Sequence, residues 1–316
     1  MEKKKQHTIG NISVILGFFL ALFVLIIFTG SGKNNGGSSE DNAKNEDFYS
    51  VTAVKIPDKL DFAGEPVPLD NFDTRESLDR ELLVNTFYHS QTFLLIKRAN
   101  RFFPIIEPIL KKYGIPDDIK YISLIESNLE NAVSPKQAVG FWQLMEGTAR
   151  DYGLEVNKEV DERYHLEKST EVACKFFLES FKKYNNWTLT AASYNAGRLG
   201  IDRQIDRQDE TSYYDMLLNE ETARYVFRAL AIKLIMNNPE NYGFNLNEND
   251  RYPVIPTYDI KIDSSISNMS SFAKSLGLNY KIIKYFNPWL RETYLTNRNR
   301  STYLLKFLKK DTEVIS

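Results

Sequence analysis

Apolar residues recur at helical spacing from about residue 75 onward. Leu78, Leu82, Phe87, Phe93 and Leu94 predict one amphipathic helix, and Phe102, Ile106, Ile109 and Leu110 predict the next. A third helix is predicted over 117–127. Pro116 suits a first helical turn, and Asp117 and Asp118 complement the positive end of a helix dipole. The stretch 140–145 breaks the periodicity and reads as a short ordered connection. Segment 169–183 is amphipathic again, with Val172, Phe176 and Phe181 among its apolar positions. Segments 187–195 and 220–237 complete a mostly helical domain that Pro239 stops. No long-period self-similarity is present, which argues against a helical repeat array.

The pattern changes at both ends. Residues 8–29 form an uncharged stretch dense in Ile, Leu, Val and Phe, close to the ~20 residues that span a bilayer. Lys3, Lys4 and Lys5 precede it and would hold that side in the cytoplasm. The run is longer than a signal-peptide core, and Phe28-Thr29-Gly30-Ser31-Gly32 is a poor cleavage site. The reading is a cytoplasmic tail over 1–8 and a membrane anchor over 9–29, with a cleaved signal as the alternative. Residues 30–70 carry glycines, serines, mixed charges, Pro57, Pro66 and Pro68, and are expected to be a flexible linker too poor in apolar surface to order itself. The helical domain is expected over 71–250. After Tyr252-Pro253-Val254-Ile255-Pro256, segments 258–262 and 303–308 read as strands and 266–276 and 280–286 as short helices. Together they predict a βααβ unit over 251–316. The fold class is thus mainly α with a small C-terminal module.

Composition narrows the function. A hydrophobic content of 42% is enough to bury a core. A net charge of -2 and a pI of about 6.1 give no nucleic-acid footprint. Cys174 is the single cysteine, so no internal disulfide forms; its helix-like, apolar surroundings read as core. His7, His89 and His165 are scattered without metal-ligand spacing, so neither a metal nor another cofactor is expected.

Glu126 is the residue with chemistry. Ile119, Ile122, Ser123 and Glu126 fall on one stripe of the predicted helix, so the carboxylate continues a largely apolar face. It also lies in the last turn, where the helix dipole opposes negative charge. Both effects favour the neutral acid and raise the pKa, as a general acid near neutral pH requires. A solvated helix end is the alternative from this helix alone. Glu130, one turn on, reads as a possible second acid or as surface charge.

Four ordered motifs accompany Glu126-Ser127. They are Gly140-Phe141-Trp142-Gln143-Leu144-Met145, Thr148-Ala149-Arg150-Asp151-Tyr152-Gly153-Leu154, Ala192-Ser193-Tyr194-Asn195-Ala196-Gly197 and Glu221-Thr222-Ala223-Arg224-Tyr225-Val226. In this order and spacing, over roughly 75–245, the chain resembles the soluble-lytic-transglycosylase family, in its membrane-bound lytic murein transglycosylase D subgroup. Phe141 and Trp142 stand where the wider family has Leu and Met, and Ser193 where it has Ala. The C-terminal unit resembles a diverged LysM module, with Asn287-Pro288 at the matching place. A helical cap that binds no sugar is the alternative.

The resemblance implies a lysozyme-like helical domain and an enzyme that cuts the MurNAc-β-1,4-GlcNAc bond of peptidoglycan without water, leaving a 1,6-anhydro end. Glu126 would be acid and then base. Ser127, Gln143, Met145, Tyr194, Asn195 and Tyr225 would form the substrate-binding set, with Ser127 also supporting the local structure. Tyr225 would contact the catalytic carboxyl. The expected partners are peptidoglycan glycan strands and, through the N-terminal segment, the inner membrane, with the catalytic domain in the periplasm; a secreted periplasmic form is the alternative. The rival functions are a muramidase on the same fold and a non-catalytic peptidoglycan-binding scaffold.

Overall fold

Eight helices of the first domain can be followed in the computed structural model, which describes residues 52–309. The tail, the apolar run read as an anchor and the linker up to residue 51 lie outside the described residues, as does 310–316. Among the described residues no helix is long and apolar enough to cross a membrane. In chain order the helices are α1 (Phe72–Phe87), α2 (His89–Lys112), α3 (Lys120–Ser127), α4 (Glu146–Asp151), α5 (Leu166–Tyr184), α6 (Trp187–Ala196), α7 (Arg198–Gln208) and α8 (Glu220–Asn237). α8 is the central element: Tyr225, Val226, Ala229, Leu230 and Ile232 are buried, and it packs against α1, α3 and α6. Local signals set its start, since the Asn219 side chain accepts from the Thr222 N–H. Asn186 caps α6 in the same way at the Leu189 N–H, and Asn128 ends α3 in the left-handed conformation.

Three expectations need correction. The first predicted helix breaks at Tyr88, so Phe93 and Leu94 belong to α2, which also continues through Pro104 and Pro108. Helix α7 is absent from the periodicity reading because its sequence is highly charged and Ile201 is its one buried residue. The third correction concerns the linker. From residue 52 to 70 the chain is ordered and belongs to the helical core. Strands β1 (Asp61–Phe62) and β2 (Glu65–Pro66) pair antiparallel, and Phe62, Val67 and Leu69 are buried in the main cluster. The Glu65 carboxylate accepts from the N–H groups of Trp187 (2.5 Å) and Thr188 (3.1 Å) at the start of α6, where the helix dipole favours an anion. Lys233 Nζ donates to the Asp61 carbonyl and to Asp118 Oδ2, both at 2.8 Å. A few well-placed apolar side chains and two polar clasps order a segment whose average composition reads as linker.

The C-terminal module has the predicted βααβ order. Strand β3 (Thr257–Ile262) pairs antiparallel with β4 (Tyr303–Leu308), from Thr257↔Leu308 to Ile262↔Tyr303. Between them lie α9 (Met269–Ser275) and α10 (Tyr280–Phe286), capped by the side chains of Asn268 and Asn279. Buried Asn287 closes the unit: its amide donates to the carbonyls of Ile283 (3.0 Å) and Lys306 (2.9 Å), and its oxygen accepts from Lys306 N (2.7 Å). The module's core holds Met269, Ile283, Leu290, Leu305 and Phe307. It also takes in Val139, Val160 and Tyr164 from the helical domain.

Candidate active site

Glu126 is the penultimate residue of α3, flanked by buried Ile122, Leu124, Ile125 and Ser127. The hydroxyl of Tyr225, a residue only 1% exposed on α8, donates to Glu126 Oε1. Burial pushes the Glu126 carboxyl up to about 6; the Tyr225 hydrogen bond and the Arg228 charge oppose the rise, and Glu221 adds to it. Arg228 also donates to the carbonyl of Ile125 at 3.0 Å, satisfying one of the open carbonyls at the end of α3. Neighbours of this pair, among them Ile125, Asn128, Glu221, Arg224 and Arg228, line a cavity of about 870 Å³, whose walls include neither Glu126 nor Tyr225 themselves. A carboxyl that is half protonated near pH 6 and held by a neutral donor can give and take a proton.

The loop 137–144 is tied to Ser127, the residue that follows Glu126. Gly140 has φ +83°, and a Cβ there would stand 2.2 Å from the carbonyl oxygen of Arg163, so only glycine fits. Val139 pairs with Leu144 and Val133 in isolated bridges that close the loop. The Gln143 amide nitrogen donates to the carbonyls of Ala132 (3.1 Å) and Gly140 (2.9 Å) and so braces the loop itself. Phe141 and Trp142 are buried, and the indole N–H of Trp142 donates to Thr170 Oγ1 at 2.8 Å. Ser127 is buried as well. Its hydroxyl lies 2.9 Å from the Phe141 carbonyl and 3.0 Å from that of Ser123, a placement that supports the loop and leaves no surface for sugar. Met145 stands at the open side, 46% exposed.

Tyr194 and Asn195 sit at the end of α6. The Tyr194 hydroxyl donates to the Trp142 carbonyl at 2.6 Å, and its ring stacks on Phe177 at 4.8 Å. Burial pushes this phenol well above its ordinary value, with the Glu126 charge adding to the effect. The Asn195 amide donates to Glu221 Oε1 at 3.0 Å, and its oxygen accepts from Thr222 Oγ1 at 2.8 Å. The structure therefore gathers Glu126 and Tyr225 into one group, with Asn195 joined through Glu221. Ser127, Gln143 and Tyr194 surround the loop, and Met145 lies at its exposed edge. Glu130 stands apart as the exposed partner of Arg98.

Sequence reasoning missed Glu221 and Arg228. Glu221 follows an N-cap, where an acidic residue reads as a helix-dipole partner and nothing more. The signal was the spacing: 221, 225 and 228 fall on one face of α8, a polar stripe around the tyrosine that meets Glu126. The pair Asp161–Arg163 was missed too. Arg163, 7% exposed, is held by Asp161 through Nε–Oδ1 (2.9 Å) and Nη2–Oδ2 (2.7 Å).

Comparison with known proteins bears on the two domains. The family model for the transglycosylase SLT domain matches residues 103–217, and that for the soluble lytic transglycosylase C-terminal LysM-like domain matches residues 258–310. The first span contains Glu126, Gln143 and Asn195 and ends before Glu221 and Tyr225. Membrane-bound lytic murein transglycosylase D of Escherichia coli K12 is 27% identical over 243 residues, covering 74% of this chain and 52% of that protein. A putative tributyltin chloride resistance protein of Alteromonas sp. strain M-1 is 28% identical over 116 residues, 36% of this chain and 56% of that one. The chain spans about half the length of the curated relatives it matches. An X-ray structure of an inactive mutant of the lytic transglycosylase Slt from Pseudomonas aeruginosa matches with 19% identity and a TM-score of 0.35, over 48% of this chain and 26% of that one. The chain thus carries a transglycosylase SLT domain followed by a LysM-like C-terminal domain, and it is homologous to membrane-bound lytic murein transglycosylase D.

Proposed function

We propose that this protein is a peptidoglycan lytic transglycosylase in which Glu126 alone serves as acid and then as base. The observation that carries the reading is the partly buried Glu126 carboxyl, raised to about 6 and held by the Tyr225 hydroxyl, with the neighbouring Ile125, Glu221 and Arg228 lining an open cavity. In the first step the protonated carboxyl gives its proton to the glycosidic oxygen as the C1–O bond breaks. In the second step the carboxylate takes the proton from the C6 hydroxyl as that oxygen bonds to C1. The product carries a 1,6-anhydro-MurNAc end, and Glu126 returns to its protonated form. The Tyr225 hydroxyl orients the carboxyl without adding charge. Asn195 holds Glu221 on the same side, and Gln143 keeps the loop in register with Met145 facing the glycan. No cofactor is required by these steps.

A muramidase is the second reading. It is favoured by one observation: Glu221 is a second carboxylate whose charge Glu126 feels, and a second carboxylate can activate water. Mass spectrometry of products from purified glycan strands separates the two. Anhydro ends, lighter by one water than reducing ends, support the transglycosylase; reducing ends alone replace it with the hydrolase. The proposed setting is the periplasmic face of the inner membrane. The apolar run 8–29 and the homology to a membrane-bound enzyme support it. The proposed division places the catalytic domain over 52 to about 250 and the module from 251.

A further inference from the structure

The loop that carries Gln143 is tied to the C-terminal module through a continuous set of buried contacts. The Asp161 N–H donates to the Trp289 carbonyl of the module at 2.8 Å. The Asp161 carboxylate holds the Arg163 guanidinium by two parallel bonds, a fork that fixes its orientation. Arg163 Nη1 in turn donates to the carbonyls of Gln137 (3.1 Å) and Leu144 (3.3 Å), the two ends of the loop. The Arg163 carbonyl is the group against which Gly140 packs. Val139, between these points, is buried in the module's own core beside Trp289 and Leu290.

The flanking segment is clasped from the same side. Val160 forms a β-bridge with Leu290, and Arg291 N donates to the Glu159 carbonyl at 2.7 Å. The Glu159 carboxylate accepts from Thr296 N (2.6 Å) and Thr296 Oγ1 (2.7 Å). The Arg291 guanidinium lies over the Tyr164 ring at 3.9 Å. A sugar-holding head gains from a flexible tether that lets it search on its own. Here the connection from α10 to β4 is engaged with the helical domain along much of its length, and the two share a core.

We infer that the module is a brace for the catalytic loop, and that Arg163 is the positioning residue through which it sets Gln143 and Met145 against Glu126. This rests on the cleavage reaction proposed above. The Asp161–Arg163 pair touches no substrate. It fixes both ends of the loop at once, and lysine cannot replace it: an ammonium is a point charge that cannot bind a carboxylate in a fork and also reach two carbonyls.

The test is steady-state kinetics on glycan fragments too short to span both the cleft and the module, with sacculus binding measured in parallel. Two variants are compared well below their melting midpoints. Arg163→Lys breaks the fork, and Glu159→Gln with Thr296→Val loosens the clasp at its half-buried edge, where folding is not at stake. Arg163→Lys is expected to lower kcat about 10- to 100-fold with KM nearly unchanged, since a shift of about 1 Å in a positioning group has that effect. The clasp variant is expected to move kcat in the same direction by a smaller factor, with sacculus binding retained. It decides alone if Arg163→Lys does not fold. Wild-type kcat on short fragments with loss of sacculus binding would overturn the brace and make the module a binding head. The methyl NMR signal of Met145 is an independent readout: it should shift in both variants, and an unshifted signal also overturns the inference. If the wild type cleaves no glycan, the proposed reaction fails, and the Met145 signal decides the brace by itself.

Discussion

The hydroxyl of Tyr225 donates to Oε1 of Glu126 across 99 positions of sequence, joining the middle of α8 to the end of α3. Tyr225 is buried and Glu126 partly buried, so the bond orients the carboxyl where solvent screens it less than in water. It also opposes the burial that raises the carboxyl to about 6.

Tyr225→Phe separates these two effects. A hydrogen bond to the ionised form lowers a carboxyl pKa, so its removal moves Glu126 further above about 6. The acid must be protonated when the glycosidic oxygen leaves. The falling limb of kcat/KM against pH should therefore move to higher pH. The maximum rate should drop about 10-fold, the equivalent of one hydrogen bond of about 1.4 kcal/mol. A pH profile with an unmoved limb would show that the phenol does not act on this carboxyl.

Glu126 should be a site where function opposes stability. Its carboxyl titrates near 4.5 when unfolded and at about 6 when folded. Between these values the folded state binds more protons, so stability falls as pH rises through that window and stays lower above it. The cost at neutral pH is about 2 kcal/mol. Glu126→Gln should melt higher than wild type at neutral pH, and the gain should shrink on acidification through the window. Melting curves at both ends of the window test this. A gain that is the same at both ends would contradict a buried, titrating acid.

Phe62 tests the ordering of the segment before α1. It is fully buried in the main core, while Glu65 three residues on receives the first N–H groups of α6. Phe62→Ala should destabilise the domain by about 3–5 kcal/mol. Chemical denaturation of the wild type and the variant measures it. A change within about 0.5 kcal/mol, typical of an exposed position, would return this segment to the status of a linker.

The helices with clear local punctuation were legible in the sequence. The 220–237 reading coincides with α8, which Pro239 follows, and the βααβ order of the module follows from the change of pattern after Pro256. The position of Glu126 on an apolar face and its raised pKa were legible too. What was not legible depends on contacts far apart in sequence. Phe62 looks like one apolar residue in a polar stretch until the core that receives it is assembled. Asp161 and Arg163 look like solvated charge until the loop ends and Trp289 converge on them. The bracing of the loop by the Gln143 amide nitrogen, from a left-handed backbone position at φ +47°, was not legible either.

The central claim is that Glu126 moves the protons, and the direct measurement is turnover of purified glycan strands by Glu126→Gln. The amide keeps the size of the side chain and can still accept from Tyr225, but it has no proton to transfer. General acid–base catalysis supplies about 10²–10⁴ in rate, or roughly 3–5.5 kcal/mol of barrier. Because one group serves both steps, the loss should lie at or above the upper end of that range, with glycan binding retained. Turnover near the wild-type rate would contradict the account.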